Sequence, residues 1–144
     1  MADPSLLDCF DNPNPSRDYV IEHVAEEFTS VCPKTGHPDF GVVSLQYVPD
    51  KACVELKSLK LYLQAYRNEG IFYEAVTNKI ATDLEKAMAP RWMSLITDWR
   101  GRGGIRSTIR VEFGTPPGGA PIDDDDYDDD EDFEAPERGR PPGF

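Results

Sequence analysis

The sequence predicts an α+β domain in which two helices cover one face of a four-stranded antiparallel sheet. Two observations predict it. Apolar and polar residues alternate in two early and two late segments, whereas apolar residues recur every three or four positions between them. The predicted order is strand, strand, helix, helix, strand, strand. Two hairpins flanking a pair of helices are typical of a sheet with its helices on one side.

The first hairpin is predicted over residues 18–48. Residues 18–31 are rich in Tyr, Val, Ile, Phe and Thr, which favours a strand. Residues 41–48 form the second strand, since one face carries apolar side chains at every other position, namely Val43, Leu45 and Tyr47. The loop between the strands contains Cys32.

The middle of the chain predicts two helices. The first has apolar residues at helical spacing, namely Leu56, Leu59, Tyr62, Leu63 and Tyr66, and is expected to end near Gly70. The second has a stripe repeating every fourth residue, which is interpreted as core: Phe72, Val76, Ile80, Leu84 and Met88. Pro90 is expected to stop this helix.

The second hairpin is predicted from residues 91–99 and 105–113, where period-two alternation returns, with the loop RGRGG at 100–104 between them. A small open sheet leaves its edge strands unpaired. Joining edges between subunits into a closed ring removes that liability. We therefore expect a homo-oligomer.

Both ends of the chain differ in composition from the middle. Residues 1–17 contain three prolines and predict an irregular N-terminal arm, and residues 18–114 form the predicted domain. The segment from Asp123 holds 11 of the 27 acidic residues and two arginines, so it carries −9 of the net charge of −12. Residues 115–144 are therefore predicted to be a disordered acidic tail, interpreted as solubilising rather than as a binder of basic partners.

Composition also limits the class of protein. No apolar run reaches 18 residues and no secretory leader is recognisable, so the expectation is a cytoplasmic protein without membrane contact. Three cysteines, an odd number without metal-ligand spacing, predict reduced thiols rather than a disulfide framework. With two histidines and no CxxC, no metal site is expected, and no glycine-rich dinucleotide fingerprint opens a helix.

One short loop carries candidate chemistry. The stretch FTSVCPKTGHPDFG, residues 28–41, places Cys32 near Lys34, His37 and Asp39. A cysteine attacks as the thiolate, which positive charge and turn amides stabilise. Asp39 or His37 are candidates to move a proton. A single cysteine is also compatible with an inert buried side chain, which is the interpretation for Cys53 in its apolar context.

Three motifs in order resemble one enzyme family. FTSVCPKTGHPDF, VELKSLKLYLQAYRN and FYE are similar to segments of the 7-cyano-7-deazaguanine reductases, the short nitrile reductases of queuosine biosynthesis in tRNA modification. ELKSLKLY at 55–62 is that family's signature segment. The resemblance runs from about residue 18 to 113 and leaves the arm and the tail unexplained.

The resemblance implies the tunnelling fold, with subunits in rings and active sites where neighbours meet. The implied reaction reduces the nitrile of a 7-deazapurine to a primary amine with two NADPH, without direct contact to nucleic acid. Cys32 takes the position of the family's nucleophile, which forms a thioimide intermediate. Asp39 takes the position of its proton donor.

The resemblance also implies binding residues. Glu74 matches the carboxylate that anchors the purine-like ring, Tyr73 lies beside it, and the substrate-lining segment corresponds to Val54, Glu55 and Leu56. Glu55 is equally suited to the start of a helix. Lys57 and Lys60 are candidate contacts for NADPH phosphates, as is Arg102 by a weaker argument; a solvated helix face is the alternative for the lysines.

One departure from the family leaves alternatives open. Where the family has FHE, this chain has Tyr73 in FYE. A tyrosine donates a hydrogen bond but does not shuttle protons near neutral pH. A noncatalytic or weakened purine-binding protein of the same fold is therefore the alternative, although Cys32 and Asp39 are both present. A cyclohydrolase-like enzyme needs zinc ligands that the sequence lacks.

Overall fold

The computed structural model of the chain describes residues 2–118. Its elements are, in chain order, β1 (Cys9–Asp11), β2 (Ile21–Val31), β3 (Pro38–Val48), β4 (Ala52–Val54), α1 (Leu56–Gln64), α2 (Tyr73–Met88), β5 (Trp92–Arg102) and β6 (Ile105–Gly114). Four strands form an antiparallel sheet in the order β2-β3-β5-β6. This confirms the predicted α+β architecture. The predicted tail lies, from residue 119 onward, outside the described residues.

The core lies between the sheet and the two helices. Val43, Leu45 and Tyr47 of β3 are buried, as the alternation predicts. The α2 stripe is buried at four of its five predicted positions, namely Val76, Ile80, Leu84 and Met88. The fifth position is wrong: Phe72 precedes the first turn of α2 as its N-cap and is 53% exposed. A residue just outside a helix does not follow the helical face.

The first helix is shorter than predicted. Helix α1 ends at Gln64, and hydrogen-bonded turns carry the chain on to Glu69. Tyr66 lies beyond the helix yet is fully buried in the core, where its hydroxyl hydrogen-bonds that of Tyr62 at 2.7 Å. The helical spacing of Tyr62 and Tyr66 therefore predicts their burial correctly but overestimates the length of α1.

The N-terminal arm is more ordered than its composition predicts. It contains a 3-10 turn over Pro4–Leu6, and β1 pairs with β4 in a separate two-stranded sheet. Ala2 and Leu7 are buried against the core. The arm therefore packs on the beginning of α1 and supports the segment that precedes it.

Both hairpins have shorter loops than predicted, because β3, β5 and β6 are longer than predicted, whereas β2 begins three residues later, at Ile21. Strand β3 already begins at Pro38, so Asp39 lies in a strand rather than in the loop of Cys32. Strand β5 continues to Arg102, which leaves Gly103 and Gly104 as the turn, both with positive φ. These extensions bring Asp39 and Arg102 to the same end of the sheet as Cys32.

Two findings limit the possible sites within residues 2–118. None of the helices there is long and apolar enough to cross a membrane. The same residues contain no cluster of three or more histidine, cysteine or acidic side chains suited to a metal ion.

Candidate active site

Cys32 lies at the end of β2 in a tight turn. Its backbone N–H donates to the carbonyl of His37 at 2.9 Å, and its own carbonyl accepts from Gly36 N–H at 2.8 Å. The pKa of Cys32 is lowered to about 7 by the Thr35 hydroxyl first, then by the backbone N–H groups of Thr35 and Lys34, against the opposing effect of burial. A substantial fraction of this half-buried sulfur is therefore thiolate near neutral pH.

Asp39 lies beside this turn on β3, with a side chain only 3% exposed. Its Oδ1 accepts from Arg102 Nη1 at 2.5 Å and from the Tyr73 hydroxyl at 3.3 Å. Both contacts use Oδ1, and no hydrogen bond from a residue within 2–118 reaches Oδ2. The second oxygen is thus the one left to exchange a proton with a ligand.

Tyr73, the first residue of α2, joins the same cluster. Its ring stacks on Trp99 with centroids 4.2 Å apart and an interplanar angle of 10°. Its backbone carbonyl accepts from Thr77, whose hydroxyl bonds that of Thr97 at 2.7 Å. Burial first, and the charge of Asp39 second, raise the pKa of Tyr73, so its hydroxyl stays protonated and acts as a donor at neutral pH.

A second group of candidate residues surrounds the start of α1. Glu55 is the N-cap of the helix, and its carboxylate accepts from Lys57 N–H at 2.7 Å and from Ser58 N–H at 2.8 Å. These two amides hold the pKa of Glu55 below its usual value. The preceding Val54 is buried, whereas Leu56 is 59% exposed. Glu55 therefore has a structural function whether or not it binds a ligand.

The two groups are not joined within one chain. Among residues 2–118, no hydrogen bond or ion pair connects Val54, Glu55 or Leu56 to Cys32 or Asp39. Glu74 follows Tyr73 in the first turn of α2, with an exposed side chain. A groove of about 500 Å³ separates β2 from α1, and its lining includes Lys60 and Leu56 but neither Cys32 nor Asp39. This groove is therefore separate from the cysteine cluster.

A family model described as QueF-like protein matches residues 38–117. The NADPH-dependent 7-cyano-7-deazaguanine reductase of Chloroherpeton thalassium is 59% identical over 110 residues, which cover 76% of this chain and 95% of the relative. That of Rhodopirellula baltica is 55% identical over 107 residues, covering 74% of this chain and 88% of the relative. The chain belongs to this family. Membership confirms the resemblance carried by the three motifs.

A solved structure supports the fold of this reductase family member. The crystal structure of the archaeosine synthase QueF-Like in the apo form matches with a TM-score of 0.63 and 21% identity, covering 68% of this chain and 96% of the other. At that identity the likeness shows the tunnelling fold alone.

Three residues of the cluster were missed or misjudged from the sequence. Thr35 received no function, although its hydroxyl is the main cause of the lowered pKa of Cys32. Trp99 lies in the strand that the alternation predicts, but the sequence does not show that its ring supports that of Tyr73. Arg102 was considered only for cofactor phosphates, yet it pairs with Asp39. Contacts of this kind depend on where strands end, which periodicity locates poorly.

Proposed function

We propose that this chain reduces the nitrile of 7-cyano-7-deazaguanine to the aminomethyl group of 7-aminomethyl-7-deazaguanine with NADPH, in tRNA queuosine biosynthesis. The observation that carries the proposal is Arg102, which pairs with the nearly fully buried Asp39 and also bonds Thr35 in the turn that holds Cys32. The pKa of Cys32 in that turn is lowered to about 7. The names of the close relatives support the same reaction.

Cys32 is the proposed nucleophile. Its sulfur anion adds to the nitrile carbon, and one π bond of C≡N becomes the electron pair on nitrogen. A proton from Asp39 Oδ2 neutralises that nitrogen, which gives a covalent thioimide on Cys32. The covalent step divides a four-electron reduction into two easier ones.

The bound intermediate then releases the sulfur. After a first hydride adds to the thioimide carbon, the C–S bond breaks, the sulfur departs as thiolate and an imine remains. A second hydride with a proton completes the primary amine, so the sum is two hydrides and two protons for each nitrile. The hydroxyl of Tyr73, 3.3 Å from Asp39 Oδ1, holds the acid in place through these steps.

Substrate recognition is proposed for Glu74 and the segment Val54, Glu55 and Leu56. A carboxylate accepts hydrogen bonds from the N–H edge of a purine-like ring. Glu74 fits this function because its side chain is exposed and it follows Tyr73, which hydrogen-bonds Asp39, in the first turn of α2.

A homo-oligomer with active sites between subunits is proposed to complete the cavity. Among residues 2–118, the segment 54–56 makes no hydrogen bond or ion pair with Cys32 or Asp39. A neighbouring subunit that presents its own segment 54–56 to Cys32 and Asp39 would bring the two groups of residues together. The substrate is a free base, so no contact to nucleic acid is needed, and we propose the cytoplasm as the location.

NADPH supplies the two hydrides when bound. The residues present fit its phosphates: Lys57 and Lys60 lie one helical turn apart on α1, both exposed, and neither ammonium group forms a salt bridge among residues 2–118. Lys60 also lines the groove between β2 and α1, together with Arg67. These cations would hold the phosphate groups and orient the cofactor.

Turnover with the proposed substrate tests this function. With 7-cyano-7-deazaguanine, the wild-type chain is expected to oxidise two NADPH for each amine formed, measured by absorbance and by mass spectrometry of the product. Cys32→Ala and Asp39→Asn should abolish both signals. Cys9→Ala, which removes an exposed cysteine in β1, is the matched control and should not. NADPH consumption that survives in Cys32→Ala contradicts the proposal.

A further inference from the structure

The turn that holds Cys32 also holds the hydroxyl of Thr35. Two backbone hydrogen bonds close the turn, from Cys32 N–H to His37 and from Gly36 N–H to Cys32. Gly36 has φ +75°, a conformation that favours glycine. Thr35 lies within this turn, three residues after Cys32.

The acceptor capacity of the Thr35 hydroxyl is fully used by other groups. Its oxygen accepts from the backbone N–H of His37 at 3.2 Å and from Arg102 Nη2 at 3.5 Å. A hydroxyl has two acceptor lone pairs and a single O–H. With both lone pairs occupied, the hydrogen is left to point toward the Cys32 sulfur. This agrees with Thr35 being the main cause of the lowered pKa of Cys32.

Arg102 links this hydroxyl to the acid of the site. Its Nη1 bonds Asp39 Oδ1 at 2.5 Å while Nη2 reaches Thr35. The planar guanidinium fixes the two directions relative to each other. Arg102 comes from the last position of β5, so the second hairpin and the cysteine loop are tied together through one side chain.

We propose that Thr35 is a catalytic residue that donates its hydroxyl hydrogen to the Cys32 thiolate, and that Arg102 is a positioning residue that orients this hydroxyl while holding Asp39. The inference rests on the proposed function, because it assigns the means by which the nucleophile is kept ionised. This function of Arg102 differs from a contact to NADPH phosphates, because it acts whether or not NADPH is bound.

The charged and titratable groups near Cys32 come from several elements. They are Lys34 and His37 in its own turn, Asp39 on β3, Glu69 before α2, Tyr73 on α2 and Arg102 on β5. Among them, Arg102 adds to the lowered pKa of Cys32 less than the Thr35 hydroxyl does. Removing the guanidinium should therefore act in two ways, through its own hydrogen bond to the Cys32 sulfur and through its hydrogen bond to the Thr35 hydroxyl.

The pH dependence of Cys32 alkylation by iodoacetamide tests the proposal without nitrile or NADPH. Peptide mass spectrometry separates Cys32 from Cys9 and Cys53. We expect a wild-type midpoint of about 7, in line with the pKa of Cys32. In Thr35→Val the midpoint should rise by about one pH unit, since a hydrogen bond to a charged group is lost. Thr35→Ser keeps the hydroxyl and should stay close to the wild-type value.

Two further variants serve as controls for this comparison. Thr35→Ala also lacks the hydroxyl and should show the same rise, so a folding defect particular to valine does not decide the result. Thr108→Val is the matched control, because it removes a hydroxyl that donates to Asp98 at 3.3 Å on the second hairpin. Its midpoint should not move. An unchanged midpoint in both Thr35→Val and Thr35→Ala overturns the assignment of Thr35.

Arg102 is tested by a double-mutant cycle. Arg102→Met alone should raise the midpoint, and in the Thr35→Val background it should raise it by less than it does alone, since part of its effect passes through the Thr35 hydroxyl. Arg106→Met, which removes an arginine paired with Asp98 on the same hairpin, is the control and should leave the midpoint unchanged. If Arg102→Met raises only the KM for NADPH and leaves the midpoint at about 7, its positioning function is wrong.

The outcomes also separate this inference from the proposed function. If the midpoints shift as expected but the wild-type chain forms no adduct with the nitrile, the reductase proposal fails and the assignment of Thr35 to the thiolate stands. If the adduct forms while the Thr35 variants keep the wild-type midpoint, the reverse holds.

Discussion

The ring of Tyr73 lies flat against that of Trp99, with centroids 4.2 Å apart. This stack fixes the direction of the tyrosine hydroxyl, which donates to Asp39 Oδ1 at 3.3 Å. Where the family motif implied by the resemblance has histidine, this chain has Tyr73. The Tyr73 hydroxyl stays protonated, and its ring packs against that of Trp99. The arrangement is suited to holding the acid rather than to moving protons.

Removing the Tyr73 hydroxyl should slow turnover. Tyr73→Phe keeps the stack on Trp99 but loses the donor to Asp39, so kcat is expected to fall roughly tenfold while the KM for NADPH stays unchanged. Tyr73→Leu, which loses the stack as well, should fall further. Tyr19→Phe is the control, because the Tyr19 hydroxyl donates to Asn12 in the N-terminal arm. Steady-state kinetics equal to wild type in Tyr73→Phe would show that the hydroxyl has no function in the reaction.

Gly41 should be intolerant of a side chain. A Cβ at this position would lie 2.8 Å from Cε3 of Trp99, which is 1% exposed and held by the Tyr73 ring. Gly41→Ala is expected to destabilise the fold by about 1–3 kcal/mol, the usual cost of overpacking, and to lower turnover by displacing the stack. Thermal unfolding measures the first effect and NADPH oxidation the second.

Gly70→Ala provides the control for this substitution. A Cβ there would meet Pro33 at 3.7 Å, an ordinary van der Waals contact. If Gly70→Ala and Gly41→Ala behave alike, crowding against Trp99 is not the cause of the loss.

Periodicity predicted the architecture because burial of one sheet face requires alternation. Val43, Leu45 and Tyr47 on β3 were identified in this way, and so were the four buried residues of α2. Strand ends and caps are not encoded in periodicity. Periodicity therefore predicts a loop position for Asp39 and a core position for Phe72, although Asp39 lies in β3 and Phe72 is an exposed N-cap.

The candidate site was predicted from a motif rather than from physical pattern. The residues near Cys32 predict thiolate chemistry through the turn amides, and in the structure the amides of Thr35 and Lys34 are among the groups that lower the pKa of Cys32. Arg102 is 63 residues from Asp39 in the chain, so no local spacing could pair them. The register Gly41 to Trp99 between β3 and β5 is what brings them together.

The two accessible cysteines should differ in reactivity near neutral pH. The Thr35 hydroxyl and turn amides lower the pKa of Cys32 to about 7, whereas burial first and Asp8 second raise the pKa of Cys9 above its usual value of 9.0. Two pH units correspond to about a hundredfold more thiolate, and the weaker nucleophilicity of an acidic thiol removes about tenfold. Iodoacetamide should therefore label Cys32 roughly tenfold faster at pH 6.5.

The sign of the pH effect checks this account. Both thiols react as thiolates, so labelling of Cys32 should level off above pH 7, whereas labelling of Cys9 should go on rising beyond pH 9. The ratio of the two rates must then shrink as the pH increases. Equal rates at pH 6.5, measured by peptide mass spectrometry, would contradict the lowered pKa of Cys32.

Glu55 variants should separate helix capping from substrate binding. Glu55→Ala removes the cap of α1 and is expected to lower Tm by roughly 5 °C, because the N–H groups of Lys57 and Ser58 lose their partner. Glu55→Ser keeps a capping oxygen and should retain most of the stability. If Glu55 also binds substrate, both variants lose affinity for 7-cyano-7-deazaguanine. Wild-type affinity in Glu55→Ser would restrict Glu55 to its structural function.

The most direct measurement is the intact mass of the protein after mixing with 7-cyano-7-deazaguanine in the absence of NADPH. The account predicts a mass increase equal to one whole substrate molecule per chain, located on Cys32 by peptide mapping, absent in Cys32→Ala and discharged when NADPH is added. An adduct on Cys9 or Cys53, or turnover without any adduct on Cys32, would contradict it.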